Sequence, residues 1–356
     1  MRSRALLGRT AGIARRAARR LGLPPRSLWP YAVPGAAIYA EAAWRLRLRR
    51  APVVPFRQHA EAAGVGEIEE PLACTLCGEA RVQPLLHPWA GRSGRRSGRR
   101  YHVVRCPGCG LLYRNPGIRP ERLGDLYAGE YGRFLSGHYS ETRRRRYELV
   151  MDAYAPLFAE GRGRRLLDLG CGHGLFLELA HERGFAPHGV DLSADAVRLA
   201  RERPSGAHAY VGTPLEVPEI AAGGFDVITM WSVLAHLPRP LDDLGVLRRL
   251  LAPGGVLLVL TVNANSLLLK AQAERWGAFT PNHVVFFAPD TLTRALTAAG
   301  FGAVVMRPMV PDAVQAGSLR MRAGFERRLR RTIARRNRGN MLSAVAFADP
   351  DAPPLR

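Results

Sequence analysis

The sequence predicts an α/β chain: an open sheet of seven strands with helices on both faces, preceded by a small cysteine-rich unit. Two observations carry this. From residue 164 onward, short apolar runs alternate with segments of helical spacing, the pattern of a parallel sheet covered on both sides. Ahead of it stand two C-x-x-C-G units, Cys74-Thr75-Leu76-Cys77-Gly78 and Cys106-Pro107-Gly108-Cys109-Gly110, with 28 residues between Cys77 and Cys106. A length of 356 residues leaves room for one large domain and a smaller one, and a hydrophobic content of 47% supports a packed core.

Four regions follow. Residues 1–70 form a basic extension rich in Arg, Pro and Ala, with poor periodicity. Residues 71–116 hold the cysteine unit, whose intervening loop, 90–100, is rich in Gly, Ser and Arg and belongs in solvent. Tyr101-His102-Val103-Val104 reads as a strand entering the second pair. Residues 117–160 look helical, a linker or lid, with Leu123, Leu126, Tyr127 and Tyr131 near helical spacing. The sheet domain occupies 161–350. Its strands are expected at 166–169, at a run ending at Asp191, and at 208–211, 225–230, 256–262, 303–306 and 341–347. Helices are expected at 175–183, 194–203, 241–251 and 289–299, the third closed by Pro253-Gly254-Gly255. An Arg-rich insertion, 311–339, separates the last two strands.

The densest signal is Asp168-Leu169-Gly170-Cys171-Gly172-His173-Gly174, a strand end, a glycine turn and a helix start. Glycines let the turn bend and let backbone approach a ligand. The spacing is G-x-G-x-G, one residue short of the dinucleotide G-x-G-x-x-G, and no G-K-S/T ends it. Asp168 would repel a pyrophosphate on the helix N-terminus but attract an ammonium group. A second acid, Asp191, lies 23 residues on, the spacing at which a strand-end carboxylate meets ribose hydroxyls. A ligand with an adenosine, no phosphate and a cationic amino-acid end satisfies both, and S-adenosylmethionine (SAM) is that ligand. With these motifs, residues 164–262 resemble a class I SAM-dependent methyltransferase with its Rossmann-like sheet. The expected donor contacts are Asp168, Gly170, Cys171, Gly172, Gly174, Asp191 and Leu192.

Thr213, in the turn after the third strand, sits where that family contacts adenine, although a plain surface turn reads equally well. Trp231 follows the fourth strand and could line the crevice at the strands' carboxyl ends. His236, in Trp231-Ser232-Val233-Leu234-Ala235-His236-Leu237, matches a histidine common in this motif and reads as scaffold before base. His283, in Asn282-His283-Val284-Val285-Phe286-Phe287, is the preferred general base; shaping the pocket through backbone hydrogen bonds is its other reading. Tyr127, Tyr131 and Tyr139 could form a lid, or pack as an aromatic face.

Cys74, Cys77, Cys106 and Cys109 have the spacing of two zinc knuckles forming a small zinc ribbon. Four thiolates fill a tetrahedral Zn2+, so the site would be structural. A redox dithiol needs one C-x-x-C at a helix start, not two matched pairs. A four-cysteine unit before this domain resembles bacterial small-molecule methyltransferases, including sugar C-methyltransferases and enzymes of surface-polysaccharide clusters, over about residues 72–350. That resemblance implies a small-molecule methyl acceptor, a sugar or polysaccharide precursor. It leaves oxygen, nitrogen or carbon open as the attacking atom, and it does not extend to the first seventy residues.

The formal charge of +22 suggests an anionic partner. Yet Lys270 is the only lysine among 52 basic residues, a bias that reflects a GC-rich genome as readily as selection for charge. The excess reads as tails and surface loops. Nucleic acid is an alternative partner but not the favoured one, because Met230-Trp231-Ser232-Val233 stands where a base-methylating enzyme carries an N/D-P-P-Y type signature. A non-catalytic SAM-fold binding protein is the remaining alternative. Residues 2–20 could form a weakly apolar basic helix touching a membrane surface. No apolar run reaches transmembrane length. An odd cysteine count in C-x-x-C pairs points to a reducing compartment, the cytoplasm.

Overall fold

Residues 36–70 are packed into the molecule, where the composition suggests an extension. The computed structural model describes residues 36–88, 101–126, 137–159, 161–203, 206–280, 282–309 and 338–349. Helix α1 (Ala36–Arg50), strand β1 (Val54–Pro55), helix α2 (Phe56–Ala63) and strand β2 (Glu69–Glu70) all precede the cysteines. On α1, Ala40 and Trp44 are buried, and the helix packs along a later helix. Glu41 staples it there, accepting from Lys270 Nζ at 2.9 Å and from Arg338 Nη1 at 2.8 Å. Residues 36–63 and 69–70 thus contribute helices and strands that pack on the rest of the described chain.

The cysteine unit is likewise not a free-standing ribbon. Strands β3 (Arg81–Leu86), β4 (Val103–Arg105) and β5 (Leu112–Arg114) form an antiparallel meander. β1 covers one edge, and β12 (Val285–Phe286), from deep in the large domain, pairs with β5 on the other, Val285 opposite Tyr113. Strand β6 (Gly117–Ile118) pairs with β2, and a 3-10 turn covers Pro120–Leu126, so the start of 117–160 is not the helix its spacing suggests. Helices α3 (Gly137–Ala153) and α4 (Ala155–Phe158) follow.

The large sheet runs in the order β13, β14, β11, β10, β7, β8, β9. Its strands are β7 (Arg165–Leu169), β8 (Ala186–Asp191), β9 (His208–Val211), β10 (Phe225–Trp231), β11 (Leu251–Val262), β13 (Val304–Met309) and β14 (Met341–Phe347). β9, β8, β7, β10 and β11 are parallel, while β14 inserts between β11 and β13 antiparallel to both, making the sheet mixed. Connecting helices are α5 (Leu175–Glu182), α6 (Ala194–Arg201), α7 (Pro218–Ala221), α8 (Pro240–Leu250), α9 (Leu267–Gln272) and α10 (Pro289–Ala298). α6 starts where the Ser193 hydroxyl accepts from the Ala196 N–H at 3.3 Å, and Ser266 does the same for α9 at 3.1 Å.

Pro253-Gly254-Gly255 does not end α8, as the sequence suggests. The chain turns extended at Leu251 already (φ −72°, ψ 139°) and pairs there with Phe225. The next pair is Val227 with Val256, so the Pro-Gly-Gly segment bulges from the strand edge. The expected N-terminal helix, the loop 90–100, Tyr127, Tyr131 and nearly all of the Arg-rich insertion lie outside the described residues, as does the side chain of Tyr139.

Candidate functional site

β7 starts the large domain in sequence and lies inside the sheet, with β8 on one side and β10 on the other. The connections leave β7 and β10 in opposite directions, so a crevice opens at their carboxyl ends, where open α/β sheets bind ligands. The glycine turn leaves β7 at this point. Gly170 and Cys171 both donate their N–H to Val190 O, at 2.8 and 3.2 Å. Gly170 has φ +69°, and a Cβ there would stand 2.5 Å from Val233 Cγ2; Gly174 has φ +76°, with its Cβ position 2.9 Å from Ala200 Cβ. Both positions demand glycine twice over, for conformation and for space.

Cys171 turns inward. Its thiol fills the notch left by Gly189 on β8, where an added Cβ would stand 2.7 Å from Cys171 Sγ. Burial, then the charges of Asp168 and Asp191, push this thiol well above the usual range. What Cys171 can offer a ligand is therefore backbone, not sulfur. His173, two residues on, is buried with no hydrogen-bond partner for Nε2 among the described residues. Burial and the charges of Arg203 and Arg143 lower its pKa to about 4.

The two acids flank the turn. Asp168 is buried at the end of β7, and the Thr229 hydroxyl on β10 donates to its Oδ1 at 2.7 Å. Burial pushes its pKa up to about 8, and Asp191 adds to the rise, against the hydrogen bond from Thr229 and the charge of Arg143. Asp191 accepts from Gly172 N–H and from Ser193 N–H, both at 2.9 Å, while its own carbonyl accepts from Gly212 N–H at 3.0 Å. Asp191 thus ties the glycine turn to the end of β8 through its carboxylate and to the end of β9 through its carbonyl. Beside it lie three exposed apolar side chains, Leu192 (40%), Val211 (47%) and Leu215 (57%). Thr213 sits among them, its N–H held by Glu216 Oε2 at 2.8 Å.

Trp231 and the two histidines close the other side. Trp231 is buried against Phe176 and Tyr147, with ring centroids 4.6 and 4.7 Å away, so most of its surface is core rather than pocket wall. Its Nε1 is buried without a partner among the described residues. His236 and His283 meet edge to face at 4.6 Å. Burial and the neighbouring His283 hold His236 well below the usual imidazole pKa, against ring hydrogen bonds to the backbones of Ser232 and Asn282. That is scaffold geometry: a neutral ring bridging two loops. The His283 Nδ1 lies 2.6 Å from Ala278 O, so Nδ1 carries the proton and a neutral ring keeps its lone pair on Nε2, the tautomer a base requires. The His283 segment is zipped on both sides. Val284 N–H donates to Ala235 O at 2.7 Å, and Arg114 N–H of β5 donates to Val284 O at 2.8 Å.

The four clustered cysteines repeat one turn twice. Cys74 N–H donates to Glu79 O and Gly78 N–H to Cys74 O; Cys106 N–H donates to Leu111 O and Gly110 N–H to Cys106 O. Gly78 and Gly110 both have positive φ, at +73° and +85°. All four ligating atoms lie within 4.8 Å of one another, with Cys74–Cys109 and Cys77–Cys106 sulfurs at 3.5 Å. Zinc–sulfur bonds of about 2.3 Å in a tetrahedron put neighbouring sulfurs roughly 3.8 Å apart, so the donor set fits such an ion.

One residue near the crevice has no motif to announce it. Arg143 on α3 acts electrostatically on Asp168, His173 and His236 together. In the sequence it is the first of four consecutive arginines, and the run Arg143 to Arg146 reads as a solvated surface.

Comparisons with known proteins give the family. A family model described as a methyltransferase domain matches residues 140–305. A ubiquinone biosynthesis O-methyltransferase of Thiobacillus denitrificans is 32% identical over 166 residues, 42% of this chain and 68% of the relative. One of the same name from Cereibacter sphaeroides is 31% identical over 207 residues, 53% of this chain and 83% of the relative. A solved SAM-dependent methyltransferase from Archaeoglobus fulgidus is 21% identical with a TM-score of 0.41, covering 56% of this chain and 94% of that one. The chain belongs to the class I SAM-dependent methyltransferases. Its donor is SAM, and it carries in addition four cysteines whose sulfurs lie close enough together to coordinate one metal ion.

Proposed function

We propose that this methyltransferase acts on a hydroxyl of a small-molecule acceptor, with the donor held between Asp168, Asp191 and Arg143. The meeting of those three charges around the glycine turn carries the reading. SAM is zwitterionic at its methionine end and neutral at its adenosine end. Asp168 faces the ammonium, and Arg143 supplies the cation its carboxylate needs. Asp191, at the tip of β8 beside the glycine turn, is the acid assigned to the ribose hydroxyls. Leu192, with Val211 and Leu215 alongside, gives the adenine an apolar shelf, and Thr213 stands at its rim. Gly170, Cys171, Gly172 and Gly174 lend backbone, and Trp231 bounds the crevice floor.

SAM supplies a methyl already made electrophilic by its sulfonium and departs as the neutral thioether. The protein's work is alignment and proton removal. His283 takes the acceptor's hydroxyl proton at Nε2 as the new O–CH3 bond forms, while His236 fixes the loop that carries it. Oxygen as the attacking atom is supported by the curated relatives, whose printed names say O-methyltransferase. A sugar or polysaccharide-precursor hydroxyl falls in the same class. Zn2+ on Cys74, Cys77, Cys106 and Cys109 would be a structural cross-link with no open position. None of the five cysteines is in a disulfide, which fits a reducing cytoplasm.

Calorimetry with SAM and its demethylated product tests the donor site; no heat from either would overturn it. Product analysis over a panel of phenols and sugars should find O-methyl products, and transfer confined to nitrogen or carbon would overturn the acceptor reading.

A further inference from the structure

Helix α1 is apolar on two opposite faces, and among the described residues only one is covered. At 100° per residue, Ala40, Trp44 and Leu48 share the face packed on the body. Ile38, Tyr39 and Leu46 lie on the opposite arc and are 74%, 78% and 48% exposed. Large apolar side chains exposed together on one helix face mark an interaction surface. The charges on the same arc are all of one sign: Arg45, Arg49 and Arg50 are exposed there, and Arg45 leaves 71% of its side chain in solvent. The helix's one acid, Glu41, is held by Lys270 and Arg338, and its other oxygen lies 3.5 Å from Arg45 Nε, an exposed pair of small worth that a phosphate can displace.

We propose that this face of α1 is an interfacial helix that docks the enzyme on an anionic lipid bilayer. Isoleucine, tyrosine and leucine ringed by arginines are the composition of a helix lying in a headgroup layer: apolar side chains enter the acyl boundary, tyrosine sits at headgroup level, and arginines pair with phosphates. A second copy of the chain is a poor occupant, because a symmetric contact would bring both arginine sets together. The docking also has a direction. α1 is stapled through Lys270 to Asn265, in the segment leaving the carboxyl end of β11, the sheet edge that carries the donor crevice. The crevice would then open near the bilayer, within reach of a lipid-embedded acceptor.

The test is co-sedimentation of the full zinc-loaded chain with phosphatidylcholine vesicles and with mixed phosphatidylcholine–phosphatidylglycerol vesicles. Binding should require the anionic lipid and weaken with salt. Replacing Arg45 and Arg49 by Glu should cost at least about thirty-fold in vesicle affinity, from roughly 1 kcal/mol per basic residue at such a surface. Ile38→Asp with Tyr39→Asp should lower it at least tenfold, with SAM binding and the far-UV spectrum unchanged, since both side chains face away from the body. Absence of binding to anionic vesicles would overturn the proposal. So would vesicle binding that both variants leave intact, which would assign it to other basic segments. A dimer that dissociates in the Asp variant would give the face to a second copy and overturn it too.

Discussion

The chain bends on glycines twice to bring reactive groups together, once in the four-cysteine unit and once after β7, and the bends use the same freedom to different ends. In the first, Gly78 and Gly110 turn the backbone so that four sulfurs converge within 4.8 Å. In the second, Gly170, Gly172 and Gly174 also take positive φ, but the only cysteine among them is tucked into the Gly189 notch. A bend that gathers side chains makes an ion site. A bend that hides its side chain leaves bare backbone beside two carboxylates, which suits an extended organic ligand. Glycine in a turn is thus no guide to chemistry until the direction of its neighbours is known.

The strongest way to break that contrast is to remove one sulfur from each bend. Cys106→Ser should release the metal, leaving well under one zinc per chain by elemental analysis. It should also lower the melting temperature by ten degrees or more, because structural zinc contributes on the order of 10 kcal/mol to small metal-bound units. Methyl transfer should fall as well, since β5 holds Val284 next to His283. Cys171→Ser should keep the zinc and most of the donor affinity. Equal loss from both variants would mean the two bends are not separate devices.

Asp191→Ala tests the second bend alone. It strips one acceptor from two amides, Gly172 N–H and Ser193 N–H, and removes the group assigned to the ribose. Hydrogen bonds to a charged partner are worth roughly 1.5–3 kcal/mol, so SAM should bind about ten- to a hundred-fold more weakly with the zinc content unchanged. Calorimetric affinity within threefold of the parent would deny Asp191 that role.

Much of this contrast is legible in the residues themselves. β9 and β14 fall where their apolar runs place them, at His208–Val211 and Met341–Phe347; β14 is buried throughout, and a strand buried in an open sheet is a continuous apolar segment between polar turns. The glycine turn and the cysteine spacing are equally plain, being local. What escapes is whatever depends on a distant partner. α1 shows no clean periodicity because both its faces are apolar, and only packing tells which is inside. β12 is two residues long and exists as a strand because β5 is beside it. Arg143 reads as one of a charged run until α3 is folded over the crevice, and Trp231 reads as pocket lining until Phe176 and Tyr147 stack on it.

Asp168 gives a smaller effect with a definite sign. Its folded pKa of about 8 stands above the usual carboxylate value, so the protonated acid stabilises the ligand-free fold and that stability is lost as pH rises toward 8. His59, His173 and His188 work the other way. Burial lowers each to about 4, so they contribute stability above the ordinary imidazole value and lose it on acidification. Between about pH 6.5 and 8 these three histidine contributions are flat, while the thiols of the four-cysteine cluster favour the fold as pH rises, so the Asp168 share is read as the difference between parent and variant. Melting temperature should fall more, or rise less, with pH across that window in the parent than in Asp168→Asn. A cationic donor favours the ionised acid, so SAM binding should release a proton there, seen as a binding enthalpy that varies with the buffer's ionisation heat. A slope and enthalpy identical in parent and Asn variant would detach the titration from Asp168.

The smallest expected effect separates pocket from core at Trp231. Its indole N–H is buried beside Phe176 and Tyr147 with no acceptor among the described residues, a cost of about 1–3 kcal/mol already borne by the fold. Trp231→Phe deletes that donor but leaves a smaller ring and a partial cavity, a loss of similar size. The two should offset, leaving unfolding free energy within about 1 kcal/mol of the parent by denaturant titration. If the ring is chiefly core, SAM affinity should also stay within about threefold. A tenfold loss of donor or acceptor affinity with unchanged stability would mean the indole N–H finds its partner in the bound molecule, and would move Trp231 from the floor of the crevice into its binding surface.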